Sequence, residues 1–83
     1  MHEATLVKSL IRHAESVALA EGALRVTAVD LSQGRLGHVS PEHLQAHFDL
    51  ASRGTLLERA VVRICESGDD DELRLLAVTV EDP

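Results

Sequence analysis

From Thr5 to Glu21 an apolar side chain returns every three or four residues. Leu6, Val7, Leu10, Ile11, Ala14, Val17 and Ala18 share one stripe, while Lys8, Ser9, Arg12, His13 and Ser16 fall on the other side. That period is the signature of an amphipathic α-helix. Thr5 is placed to cap its start, and Gly22 can take the left-handed conformation that closes its end. A helix with one apolar face has to bury it, so the rest of the 83-residue chain must supply the surface on which it packs.

That surface reads as a sheet. Leu24 to Leu31 is rich in β-branched residues and alternates in its first half, as a strand against a core should. Ser32 to Val39 has no period and contains Gly34 and Gly37, which makes it a loop. Ser40-Pro41-Glu42 then combines an N-cap, a proline at the first helical position and an acid near the positive end of the dipole. A second helix is predicted from Pro41 to Ser52 or Arg53, with Leu44, Phe48 and Ala51 as its stripe and Gly54 as its stop. Ala60 to Glu66 and Leu73 to Val80 read as two strands joined by the turn at residues 67–71, expected as an antiparallel hairpin.

The predicted fold is α+β, a two-layer sandwich with two helices on one face of a three-stranded sheet, and residues 1–83 form a single domain. Val62, Ile64, Leu76, Val78 and Val80 are expected to face the helices. The opposite face would then carry Val61, Cys65, Leu73, Leu75 and Ala77, more apolar than an exposed sheet face should be. A second subunit is therefore expected over that face or over a sheet edge, making a homodimer.

Phe48 is the sole aromatic in the sequence, so the core must be assembled from Leu, Val, Ile and Ala. The net charge of −6 and the lack of Trp and Tyr argue against a nucleic-acid partner, which calls for basic surface and usually stacking rings. No stretch approaches the roughly 18 consecutive apolar residues of a membrane span. A lone Cys65 makes no internal disulfide, and the opening residues lack a signal-peptide pattern, so a cytoplasmic location is expected.

The chemistry concentrates at the first three residues. Met1, His2 and Glu3 place an α-amine, a backbone amide, an imidazole and a carboxylate in one short span. An amine, a deprotonated amide nitrogen and an imidazole can lie in one plane, and square-planar nitrogen donors favour Ni(II) or Cu(II), whereas Zn(II) prefers a tetrahedron. Against this stands the plainer reading, a solvated terminus.

Other candidates are weaker. His43 and His47 lie four residues apart on the second helix, a spacing at which two imidazoles can meet one metal, but surface and boundary roles suffice for them. His38 sits in the glycine-bearing loop within range of being an extra ligand, and His13 falls on the polar face of the first helix. Asp69 to Glu72 lack the alternating ligands and central glycine of a calcium loop and read as a charged tip that limits aggregation. Cys65 has no sequence partner for nucleophilic catalysis and reads as a buried strand thiol. No Ser/His/Asp order, phosphate loop or dinucleotide fingerprint is present, so no enzyme is expected.

Several short pieces, in order, resemble the HypA/HybF family of hydrogenase nickel-incorporation proteins: Met1-His2-Glu3, Arg25-Val26-Thr27, Val39-Ser40-Pro41-Glu42-His43-Leu44, Phe48-Asp49-Leu50 with Arg53-Gly54-Thr55, and Leu73-Arg74-Leu75-Leu76. The resemblance implies delivery of Ni(II) for assembly of [NiFe] hydrogenase, and in some organisms urease. It implies as partners a HypB-like maturation GTPase and the hydrogenase large subunit. It assigns the nickel ligands to the Met1 amine, His2 and Glu3. Family members also carry two CxxC pairs between their last two strands, forming a Cys₄ zinc domain. Here residues 67–71 stand in that place and the sequence holds one cysteine, so no zinc is expected.

The function expected is a nickel-binding, metallochaperone-like accessory protein that captures Ni(II) at its N-terminus and passes it on by ligand exchange. Two rivals remain open. One is a metal-free module that docks on a maturation GTPase or hydrogenase subunit; the other is a redox or metal buffer built on the histidines and an exposed Cys65.

Overall fold

The computed structural model of the chain describes residues 3–83, with side chains from Ala4 onward. Five elements follow in the order α1 (Glu3–Ala20), β1 (Arg25–Gln33), α2 (Pro41–Ala51), β2 (Val61–Glu66) and β3 (Leu73–Glu81). This is the two-helix, three-stranded α+β architecture expected. The first helix begins two residues before Thr5, so Glu3 belongs to its first turn and is not ahead of it. A carboxylate is favourable at the positive end of a helix and Glu is a good helix former, which allows the earlier start.

The ends of the helices follow their local chemistry. Beyond α1, the Ala23 N–H donates to the Ala18 carbonyl at 3.0 Å and the Gly22 N–H to the Leu19 carbonyl at 3.1 Å, with Gly22 at φ +69°. This pair of bonds is a Schellman closure, which needs a left-handed residue at that point. At α2 the His43 N–H donates to Ser40 Oγ at 3.1 Å, Pro41 holds the first helical position, and the Ser52 N–H donates to the Phe48 carbonyl.

The sheet corrects the expected hairpin. Its strand order is β2-β1-β3, with β1 parallel to β2 and antiparallel to β3. The last two strands do run antiparallel to each other across a short connection, but β1 lies between them and takes both ladders. β1 is the one of the three strands that is buried through most of its length, as a central strand must be. Strand β1, helix α2 and strand β2 form a βαβ crossover, the usual way of joining parallel neighbours.

The β2–β3 connection therefore passes over the end of β1 and is sewn to it. Ser67 N–H donates to the Gln33 carbonyl, Gly34 N–H to Glu72, Arg35 N–H to Gly68 and Leu36 N–H to Asp70, all at 2.9–3.0 Å. Gly34 is buried directly beneath this crossing, where a Cβ would collide with the Asp70 backbone carbonyl.

Irregularities in the ladder also decide which residues face the helices. Val26 pairs Val80 and Ala28 pairs Thr79, leaving Thr27 as an extra residue on β1; Asp30 pairs Ala77 and Leu31 pairs Leu75, leaving Leu76 extra on β3. An extra residue inverts the alternation beyond it. Leu73 and Leu75, expected on the outer face, accordingly pack against the core with Val62, Ile64, Val78 and Val80, whereas Leu76 is exposed. The core itself joins Val7, Leu10, Ile11, Ala14 and Ala18 of α1 to Val26, Val29 and Leu31 of β1, with Leu44, Phe48 and Leu57 at its side.

The outer face is more polar than expected. At its centre Arg63 Nε and Nη2 donate to the two Asp30 carboxylate oxygens at 2.8 and 3.0 Å, and Nη2 also reaches Thr79 Oγ1. This bidentate pair holds the Asp30 carboxyl below its ordinary value, chiefly through the hydrogen bonds from Arg63.

Candidate metal centre

Of the three residues expected to chelate nickel, Met1 and His2 lie outside the described residues and Glu3 is the first residue of α1. The helix thus starts directly on the candidate chelate, and the rigid backbone of the domain is covalently joined to it. The following residue, Ala4, lines an apolar groove between the two helices with Val7 and Lys8 of α1 and His47, Leu50 and Ala51 of α2. The start of α1 and the C-terminal half of α2 therefore lie side by side.

His43 and His47 meet on one flank of α2. Their ring centroids are 4.6 Å apart with planes tilted by 42°. His43 is exposed and His47 half-buried at the groove wall. Residues four apart on a helix share a face, and the capped first turn fixes the backbone from which His43 projects. His38, in the loop before α2, and His13, on α1, are exposed. Among the described residues no group of three or more His, Cys, Asp or Glu side chains is assembled to hold a metal ion.

Cys65 is exposed on β2, at the position paired with Ser32, and not buried as expected. β2 is an edge strand without a covering layer on its outer face, so the thiol has nothing to be buried against. Asp70, within the acidic connection, is committed to structure. Arg74 Nη2 donates to Asp70 Oδ2 at 2.6 Å and the Glu72 N–H donates to Asp70 Oδ1 at 3.1 Å. These bonds, that from Arg74 first, hold its carboxyl low.

Two positioning residues escaped the sequence reading. Gln45 donates through Nε2 to Asp49 Oδ1 and the Ala60 carbonyl, and its Oε1 accepts from the Val62 N–H at 2.9 Å, tying α2 to the start of β2. Glu15 Oε2 accepts from the Leu56 N–H at 2.8 Å, and the Leu56 carbonyl accepts from the Val26 N–H, linking α1 to β1 through the loop after α2. Their polarity on otherwise apolar flanks was the available signal.

The family model described as "Hydrogenase/urease nickel incorporation, metallochaperone, hypA" matches residues 1–68 of this chain. The chain belongs to the HypA family. Among similar proteins, the hydrogenase maturation factor HypA of a Roseiflexus species is 44% identical over 66 residues, covering 80% of this chain and 54% of its own length. That of Chlorobium limicola is 39% identical over 66 residues, covering 80% of this chain and 57% of its own length. This HypA-family chain spans about half the length of the curated relatives it matches. The solution structure of the nickel metallochaperone HypA from Helicobacter pylori has the same fold, with a TM-score of 0.83 at 17% identity over 100% of both chains. The match to the family model ends at Gly68, within the connection that crosses the end of β1.

Proposed function

We propose that the chain captures Ni(II) through the Met1 amine, His2 and Glu3 and passes it on during [NiFe] hydrogenase maturation. The observation carrying this reading is the family match that begins at residue 1, where the donor set is also the one a square-planar ion prefers. The cargo is exchanged and not consumed, and no catalytic constellation is invoked. Urease is a second destination in keeping with the family description.

The physical case for a carrier is in the anchoring. A chelate built from a chain terminus sheds donors one at a time, which favours exchange over storage, while α1 holds that terminus to a folded body that a partner can recognise. The partners on this reading are a HypB-like maturation GTPase and the hydrogenase large subunit, met in the cytoplasm, with a homodimer as a further arrangement. The three proposed nickel donors include no cysteine, and the six residues between β2 and β3 contain none either.

The rival reading, a metal-free docking module, is favoured by one feature. Val61 on β2 and Leu76 on β3 are 54% and 58% exposed, large apolar groups with no layer over them. Complementation separates the two. In cells lacking their own family member, the chain should restore hydrogenase activity and His2→Ala should not, with added nickel recovering part of the deficit. Full complementation by His2→Ala would favour the docking module.

A further inference from the structure

We propose that His43 and His47 form a second divalent-metal site, a bis-imidazole pair on α2 that takes a borderline cation such as Ni(II) beside the N-terminal chelate. The two-imidazole site stands on its own geometry; only its use as a staging position for the nickel rests on the function proposed above.

The ring geometry is close to what shared coordination needs. Imidazole nitrogens bind such ions at about 2.0–2.1 Å, so two rings on adjacent positions of one ion have centroids roughly 4.5–5 Å apart. The observed separation is 4.6 Å, and the 42° tilt leaves the rings unstacked. Small changes in side-chain torsion would turn one nitrogen of each toward a common point. The i, i+4 spacing is the one by which helices present two histidines to a single metal. The backbone is already held, at His43 by the Ser40 cap and beyond it by the burial of Leu44 and Phe48 on the neighbouring stripe of the helix. A pair mounted on a rigid element forfeits little entropy when an ion arrives.

Position adds the second argument. His43 is exposed, so solvent and a dissolved ion reach its ring. His47 shares its groove with Ala4, and the residues ahead of Ala4 are tethered to it at no more than about 3.6 Å per residue. Donors of the terminal chelate and the imidazole pair are thus covalently confined to one neighbourhood. An ion bound by both sets in turn can move between them by substitution of one ligand at a time, with no change of oxidation state. Lys8 also lines the groove, and its long flexible stem lets the ammonium withdraw as the cation binds.

The test uses the full chain with a native Met1, Ni(II) alone as the probe, and histidine ring resonances as the readout. In His2→Ala, where the terminal chelate is removed, the His43 and His47 ring signals should broaden together at one equivalent of nickel while His13 is unaffected. Adding His43→Ala or His47→Ala to that background should weaken binding at least about ten-fold, the least loss expected when a ligand itself and not merely its support is removed. His43 is exposed and His47 only half-buried, so an unchanged amide spectrum checks that the fold persists. If His43 and His47 signals stay sharp, or broaden independently with the other histidines, the paired site is refuted. That result leaves the terminal chelate standing if the unsubstituted chain still binds one equivalent. Conversely, nickel held by the ring pair with no difference between the unsubstituted chain and His2→Ala sustains this site and removes the terminal one.

Discussion

At the scale of single residues, Gly34 shows how a loop position can control the sheet. It is buried where the β2–β3 connection crosses β1, and its N–H bonds to the Glu72 carbonyl. A methyl group there meets the Asp70 backbone carbonyl as well as the Asp70 carboxylate, and the backbone cannot swing aside, so Gly34→Ala should destabilise the fold by about 1–3 kcal/mol, as overpacking does. Denaturant unfolding measures it, and an unchanged midpoint would contradict the placement of the connection. The Asp30–Arg63 pair makes a different prediction. Because the Asp30 carboxyl is lowered from 3.8 in the folded chain, the pair's contribution is fully present above that value and is lost as pH falls through the lower folded value. The gap in melting temperature between the unsubstituted chain and Arg63→Met should therefore persist from neutral pH down to about 4 and close below it. A gap that stays constant into acid would show that Arg63 acts by packing alone. At this scale the sequence was partly legible. It identified Gly22, Ser40 and Pro41 by their local chemistry, but not Gln45 or Glu15, whose hydrogen bonds join segments distant in sequence.

At the scale of elements, helix and strand identities follow from period and from caps, because both are local. All five predicted elements form, with ends displaced by at most two residues. The Ser40 cap is worth testing directly, since it fixes the turn that bears His43. Ser40→Ala should cost about 1 kcal/mol and fray the first turn of α2, read as faster amide exchange at the start of that helix. Uniform exchange across α2 would deny the cap its role. Pairing is not local, and there the sequence reading failed. Two adjacent strands with a short connection suggested a hairpin, whereas β1 is the strand with enough buried surface to be central. The order β1-α2-β2 already described a parallel crossover. The facing of β3 was misread for a similarly physical reason: alternation was extrapolated through Leu76, and the bulge there inverts it. Nothing in Leu-Arg-Leu-Leu-Ala-Val marks that bulge, which depends on registering β3 against β1.

For the whole molecule, the core is aliphatic except for Phe48, which lies buried between α2 and the rest of the core at 2% exposure. Phe48→Ala should cost about 3–5 kcal/mol, a large part of the stability of so small a domain, and should lower the melting temperature sharply. A minor shift would mean that the site collapses around the loss. The same body presents the imidazole pair on α2, and Ala4 at the start of α1 lines the groove that His47 also lines. The tripeptide is singled out by its donor chemistry alone. The closeness of Ala4 to His47 was not legible in the sequence, because it depends on how two helices separated by a strand pack together. The central claim, that Ni(II) binds at Met1, His2 and Glu3, is tested most directly by a calorimetric and absorbance titration. It compares the chain with a free native Met1 against His2→Ala and an N-terminally extended form. The account predicts one equivalent bound with a square-planar absorption band in the native chain, binding that weakens as pH falls because protons compete for every donor, and loss of the band in both controls. Equal binding by all three, or none by any, would contradict it.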